Sequence, residues 1–380
     1  MKKEYINIPF SIPDIGDEEI NAVVETLRMG WITTGPQSKK FEDEFKAYLG
    51  GNVEAIAVNS ATSGLHLALE SLGVGAGDEV IVPTLTFTAT AEVVRYLGAD
   101  PVLVDIDPTT MNIDPAKILT AITSRTKVII PVHYAGLACQ MDVIFSIAKR
   151  HNLKVIEDAA HALSSTYNKK MIGELQSDIT VFSFYANKNI TTGEGGMIVT
   201  DDKDYSDKMR IFRSHGITTD VSTREKTGAW FYEMVDLGYN YRISDIQCAL
   251  GLSQLEKLPE WINQRQKIAG MYDQFFADNN LSSPLTVRQD RTHVYHLYVV
   301  QMKNRDKVFS DLREQGIGVN VHYVPVHLHP YYQKKFGYGK GLCPVAEKAY
   351  EQLITLPLYP GMTNKDVKMV ERIIKDIVMS

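Results

Sequence analysis

Between residues 54 and 200 the chain repeats one alternation, and that alternation narrows the folds open to it. Short apolar, β-branched runs stand at residues 54–58, 79–82, 101–104, 127–131, 154–156, 179–184 and 196–200. Helical patterns separate most of them, at 62–72, 88–97, 115–123 and 141–150. Strands alternating with helices predict β-α units, hence an α/β fold with a mostly parallel seven-stranded sheet flanked by helices. Ligands of such sheets sit beyond the carboxyl ends of the strands, so the polar residues just after each run come first. A dinucleotide site is disfavoured. The one glycine-rich stretch that could serve, Gly73-Val74-Gly75-Ala76-Gly77, precedes a strand and lacks the G-x-G-x-x-G spacing, so it reads as a turn.

The pattern changes near residue 250. Leu258, Trp261, Ile262, Ile268, Met271, Tyr272, Phe275 and Phe276 recur at three- and four-residue steps, which predicts a long amphipathic helix with Pro259 in its first turn. A strand at 296–301, a helix around 307–315, a strand at 318–323 and two closing helices should follow. The expected division is a large domain over 1–255 and a smaller C-terminal α+β domain over 256–380. Residues 216–233 are polar and unpatterned, and predict a long surface loop.

Charge and cysteine content bound the partners. The formal net charge is −6, whereas nucleic acid and membrane surfaces are anionic and favour basic faces, so neither is expected as a partner. No apolar run approaches the ~20 residues that span a bilayer. The opening MKKEYINIPF has two lysines but no apolar stretch after them, unlike a secretory leader. Cys139, Cys248 and Cys343 form no C-x-x-C pair, and reduced thiols in a cytoplasmic protein are expected. His322, His327 and His329 lack a nearby carboxylate or cysteine, so no metal is expected.

Polar residues near five strand ends could carry chemistry. Asn59-Ser60-Ala61-Thr62-Ser63-Gly64 opens a helix, where backbone N–H groups and the dipole suit a phosphate; an ordinary N-cap by Ser60 or Thr62 would look the same. Phe87 could stack on a flat heteroaromatic cofactor or be a core residue. Asp158 could pair with a protonated ring nitrogen, with His161 near that ring's phenolic oxygen; a helix-capping aspartate and a half-buried histidine would also fit. Lys188 follows a strongly apolar strand and precedes the glycine-rich Thr191-Thr192-Gly193-Glu194-Gly195-Gly196. A partly desolvated lysine there has a lowered pKa and can attack an aldehyde, with Ser183 available to a phosphate; the alternative is a lysine in a plain β-β connection. Ser244 and Gln247 form a capping-box pattern, a structural feature, with Asn240 and Arg242 just before it.

Together these segments resemble the DegT/StrS-like family of sugar aminotransferases, which are fold-type-I pyridoxal-phosphate (PLP) transferases. The resemblance covers nearly the whole chain. It is most specific at Glu157-Asp158-Ala159-Ala160-His161, at 183–188 with the glycine-rich tail, and at 238–242. It implies that Lys188 forms the Schiff base and carries protons, that Asp158 pairs with the pyridine nitrogen, and that Phe87 covers one face of the ring. It further implies that Ala61, Thr62 and Ser183 hold the phosphate, and that Asn240 reaches a phosphate in the partner of a homodimer with shared active sites. Relatives that remove a hydroxyl have histidine in place of this lysine; this chain keeps Lys188 and so resembles the transaminases. The donor implied is glutamate, and the acceptor a nucleotide-linked keto sugar.

The opening Trp31-Ile32-Thr33-Thr34-Gly35-Pro36 and the 191–196 tail resemble the branch aminating the fourth carbon, which implies a UDP-4-keto-6-deoxyhexose. Amination of a 3-keto sugar, or of a GDP- or dTDP-linked one, remains an alternative. Thr33, Thr34, His322, Tyr323 and His327 are the residues expected to hold the sugar, although alternating Val and polar residues at 321–327 also describe a half-buried strand. Two other readings are open. A PLP-fold regulator would lack Lys188 or add a DNA-binding segment, and neither is seen. A PLP enzyme acting on an amino acid would show a carboxylate-binding arginine, for which Arg213 and Arg242 are available.

Overall fold

The computed structural model describes residues 7–218, 228, 230–281 and 285–379. Two helices precede the sheet, α1 (Asp17–Met29) and α2 (Pro36–Tyr48). The β-α series follows as β1 (Glu54–Val58), α3 (Ala61–Ser71), β2 (Glu79–Pro83), α4 (Ala89–Tyr96), β3 (Asp100–Val104), α5 (Pro115–Ala121), β4 (Thr126–Ile129), α6 (Met141–His151) and β5 (Lys154–Asp158). A short hairpin of β6 (Thr166–Tyr167) and β7 (Lys170–Met171) leads to β8 (Ile179–Ser183), β9 (Gly196–Thr200) and α7 (Lys203–Arg213). The seven expected strands form one sheet in the order β1-β9-β8-β5-β4-β2-β3. Only β9 runs against its neighbours, pairing antiparallel with both β1 and β8. The architecture is the α/β arrangement expected from the alternation.

Strand residues alternate between two cores. Ala55, Ala57, Val155, Met197 and Val199 pack with α2 and α6, whereas Ile56, Val58, Ile156, Val181 and Ile198 pack with α3, α4 and α7. Apolar residues are needed on both sides, which is why these strands read as continuous hydrophobic runs.

The C-terminal part holds α8 (Asp245–Asn279), β10 (Tyr298–Gln301), α9 (Arg305–Glu314), α10 (Pro330–Phe336), α11 (Pro344–Tyr350), β11 (Leu353–Leu356) and α12 (Asn364–Met379). Several expectations are corrected here. The long helix begins at Ser244, with the Ser244/Gln247 capping box formed, so Pro259 lies in its interior. The cap and the burial of Leu255, Leu258, Trp261 and Ile262 around the proline outweigh its missing N–H. Residues 318–323 form no strand, only a bridge from Asn320 to Thr355. Their backbone is recruited elsewhere: Gly318 N–H donates to Ile8 O (2.7 Å), and Tyr134 Oη donates to His322 O. Three helices, not two, close the chain, with β11 among them. Helix α8 runs unbroken through residues 255 and 256. Its first half joins the core of the large sheet, and Ile268, Ala269, Tyr272 and Phe276 join a separate C-terminal core.

Of the expected loop at 216–233, residues 219–227 and 229 lie outside the described residues. Its described ends pair across Ile217 and Met234.

A remote aspartate starts α2. Asp245, 1% exposed, accepts from Gly35 N (2.7 Å), Gln37 N (3.0 Å) and Ser38 N (2.9 Å). These are donors a helix cannot satisfy itself. Asp245→Ala leaves them unpaired, the Ser38 N–H fully buried. It is expected to lower stability by roughly 3 kcal/mol, read as an earlier urea midpoint, with Asp245→Asn losing less.

Candidate active site

Strand alternation separates two adjacent carboxylates at the end of β5. Glu157 turns into the core, where Ser177 Oγ (2.6 Å), Thr180 Oγ1 (3.1 Å) and His133 Nε2 (2.8 Å) surround it. Asp158 turns into a cavity. Thr90 Oγ1 donates to its Oδ2 (2.8 Å), so the Thr86 hydroxyl, 2.8 Å from Thr90, must donate in turn. Ala160 N–H donates to Oδ1 at 3.2 Å. Burial pushes the Asp158 carboxyl up; these bonds and the charge of Lys188 oppose that.

His161 is fixed in one tautomer. Ala135 N–H donates to its Nδ1 (3.2 Å), which leaves the ring proton on Nε2, where Tyr323 Oη accepts at 3.0 Å. Burial, then the charge of Lys188, holds His161 well below its ordinary range, so it is neutral. The turn beside it requires glycine: Gly136 has φ +96°, and a Cβ there would stand 2.8 Å from His161 O.

Lys188 lies in an excursion between β8 and β9, closed by Phe184 N–H to Gly195 O (2.9 Å) and Thr192 N–H to Phe184 O (3.0 Å). Its Nζ stands 3.4 Å from His296 Nε2. Burial brings its pKa down to about 8, although Asp158 pulls the other way. At the start of α3, Ser60 Oγ accepts from Ser63 N–H (3.1 Å). That leaves the first-turn N–H groups of Ala61 and Thr62 for a ligand. Gly196 lies against this helix end. A Cβ there would be 2.8 Å from Ala61 N, so a larger residue would crowd the cradle.

These groups share one cavity of about 580 Å³. It gathers Ala61, Thr62, Phe87, Asp158, His161, Ser183, Lys188, His322 and Tyr323 of the residues expected from sequence. Phe87 is 58% exposed, a ring left open on the cavity and not a core residue. Four expected residues lie elsewhere. Thr33 is exposed, and Thr34 Oγ1 donates to Ile243 O (2.6 Å). Asn240 is exposed beside Asn59, whose Nδ2 donates to its carbonyl (3.4 Å). His327 is fully buried, with Nδ1 on Thr84 Oγ1 (2.6 Å) and Nε2 on Glu347 Oε1 (2.9 Å); both ring nitrogens are engaged, so it has no atom left for a sugar. Sequence reasoning missed Thr90, Asn187, Glu194 and His296 as lining residues. The first two had a readable signal: Thr90 opens the helix after Phe87, and Asn187 adjoins Lys188.

The residues present fit PLP. The cavity offers an amine of lowered pKa, a buried carboxylate for a ring nitrogen, an uncovered aromatic face and a helix N-terminus for a phosphate. Buried Asn187 Oδ1 and His296 Nδ1, both on cavity residues, lack a protein partner. Fold and site thus define a PLP-dependent aminotransferase. The profile of the DegT/DnrJ/EryC1/StrS aminotransferase family matches residues 13–375, and the chain belongs to that family.

It is 46% identical to the spore coat polysaccharide biosynthesis protein SpsC of Bacillus subtilis, over 98% of this chain and 97% of that one. Among solved structures it is similar to the putative sugar aminotransferase Spr1654 of Streptococcus pneumoniae in its PMP form (TM-score 0.92, 37% identity, 98% and 99% of the two chains). It is similar also to Helicobacter pylori PseC, an aminotransferase involved in the biosynthesis of pseudoaminic acid (TM-score 0.90, 33% identity, 98% and 99%). The chain is a sugar aminotransferase that uses PLP.

An amine attacks an aldehyde only when unprotonated, so with Lys188 as the capturing group, cofactor-free protein should take up PLP faster as pH rises toward about 8 and level off above it. Stopped-flow absorbance across pH 6–10, roughly two units either side of that midpoint, checks this.

Proposed function

We propose that the enzyme moves an amino group from L-glutamate to the fourth carbon of a nucleotide-linked 4-keto-6-deoxy sugar, with UDP as the nucleotide. The observation that carries the sugar reading is the cavity's lining. Among the described residues it holds hydroxyls, imidazoles, amides, the Lys188 amine and two carboxylates, Asp158 and Glu194, but no arginine. Arg213 is spent on Glu42 Oε1 and Ala57 O, each at 2.7 Å, and neither it nor Arg242 lines the cavity. Hydroxyl and imidazole groups suit a polyhydroxylated ring. The fourth-carbon assignment rests on the opening loop 31–36 and the tail 191–196. SpsC and PseC, by their names, serve polysaccharide and pseudoaminic acid synthesis, which supports an amino sugar made for a surface glycan. Three unpaired cysteines accord with work in the cytoplasm.

Bound PLP would supply the electron sink. Lys188 Nζ would hold the cofactor and, when released, carry a proton between the substrate carbon and the cofactor carbon, which a pKa near 8 permits at neutral pH. Asp158 would keep the pyridine nitrogen protonated, since an opposite charge beside a buried carboxyl restores its charged form. The N–H groups of Ala61 and Thr62, with Ser183, would grip the phosphate. His161 and Tyr323 would face the ring's oxygen, and His322 and Tyr323 would form the sugar's wall.

A homodimer completes the proposal. Trp230 (85% exposed), Phe231, Met234, Val235 and Leu237 present an apolar strip leading to Asn240, a surface a second copy would cover. Asn240 would then reach the partner's phosphate site. Asn240→Ala should remain dimeric by light scattering while PLP binds about tenfold more weakly, the loss of one hydrogen bond to a charged group.

The deciding experiment is spectroscopic. PLP-loaded wild type should show a visible band that glutamate abolishes, and Lys188→Ala should form no such band. Adding UDP-4-keto-6-deoxyhexose should restore the band in the glutamate-treated wild type. Restoration by a 3-keto sugar alone would overturn the fourth-carbon assignment, and restoration only by GDP- or dTDP-linked sugars would overturn the nucleotide.

A further inference from the structure

The ring nearest the Lys188 amine belongs to a residue with no assigned part in the reaction. His296 is 5% exposed and presents Nε2 to Lys188 Nζ at 3.4 Å. Its Nδ1 is buried without a partner. The His161 ring packs against it, with centroids 4.4 Å apart. Behind it lies Arg265, 2% exposed, which donates from Nη1 to Tyr295 O (3.2 Å) and Leu358 O (3.1 Å). Among the described residues Arg265 forms no ion pair, and its Nε is unpartnered. A buried guanidinium keeps its charge, and without a carboxylate that charge acts on its surroundings. Tyr295, whose carbonyl it holds, is the residue before His296.

Burial, and then the charges of Lys188 and Arg265, hold His296 well below its ordinary range, in its neutral form. A neutral imidazole has one bare nitrogen, and an ammonium donates only. A protonated Lys188 can therefore meet His296 favourably only if Nε2 is bare and the ring proton sits on Nδ1.

We propose that His296 is a positioning residue for Lys188, accepting from its amine through a bare Nε2 whenever that amine is not joined to the cofactor, with Arg265 keeping the ring in this accepting form. The inference rests on the assignment of Lys188 as the cofactor-bearing amine. The hydrogen bond transfers no proton to His296. It aims Nζ, so that a proton taken from one carbon stays on Nζ until it is delivered to the other. Without it, the freed amine can rotate about four side-chain bonds while the reaction waits.

The test begins with unmutated, cofactor-free protein at pH 7, below the Lys188 midpoint of about 8. Labelled with 15N-histidine, its His296 ring should show the Nδ1–H tautomer, the signal being assigned by its loss in His296→Gln. An Nε2–H or doubly protonated ring would overturn the proposal. Single-turnover reaction of the PLP-loaded enzyme with glutamate supplies the second readout. His296→Phe should slow the step roughly 10- to 100-fold, the scale of a misaimed reacting group, with PLP affinity and KM nearly unchanged. His296→Gln, which can place an amide oxygen near the Nε2 position, should recover most of the rate. A His296→Phe enzyme as fast as wild type, or a His296→Gln enzyme as slow as His296→Phe, would overturn the proposal. Turnover by Lys188→Ala would instead overturn the assignment of Lys188.

Discussion

Both faces of the central sheet are buried, and this constraint governs where the protein can do chemistry. A polar side chain in the middle of β1, β5 or β9 would sit in one of two apolar cores, unpaired at a cost of about 1–3 kcal/mol. Polar groups therefore collect at strand ends, and because most strands are parallel those ends share one edge. The Ala61–Thr62 helix start, Phe87, Asp158, Ser183 and Lys188 come from four different connections, yet all line one cavity. Glu157 is the exception that shows the cost: a carboxylate inside the core is tolerated there only with two hydroxyls and an imidazole on it.

Much of this was readable in advance. The seven strands follow from hydrophobic runs, since burial on both faces leaves an unmistakable pattern, and the lysine and aspartate follow from their places after such runs. Other features depend on atoms far away in sequence. The start of α8 was misplaced although its Ser244/Gln247 cap is legible locally, because Pro259 is a strong local signal and the distant packing of Leu255, Leu258, Trp261 and Ile262 that outweighs it is not. His327 and His322 occupy the same alternating run, yet one is sealed between Thr84 and Glu347 and the other lines the cavity. Nothing local distinguishes them. His296 was hidden for the same reason: a histidine opening an apolar strand carries no mark of the lysine it will meet.

The cavity's electrostatics are set by keeping histidines uncharged. His161, His296 and His322 all surround the Lys188 amine, and burial depresses each of them, His322 to about 3. Three imidazoles that charged near neutrality would repel the ammonium and one another. As neutral groups they donate or accept by tautomer, which backbone geometry fixes at His161.

Two cores share one helix. The floor of the cavity hangs from the sheet, while Asn320, Val321, His322 and Tyr323 belong to the C-terminal part. Helix α8 is a rod of roughly 50 Å at 1.5 Å per residue, clamped at one end among Leu255, Leu258 and Trp261 and at the other among Ile268, Tyr272 and Phe276. A rod fixed in two bodies acts as a lever. A tilt of a few degrees in either core moves the far end by several ångströms, since roughly 50 Å of helix multiplies the angle. Packing around Leu258 and Trp261 is thus coupled, through one continuous helix, to packing around Ile268 and Tyr272.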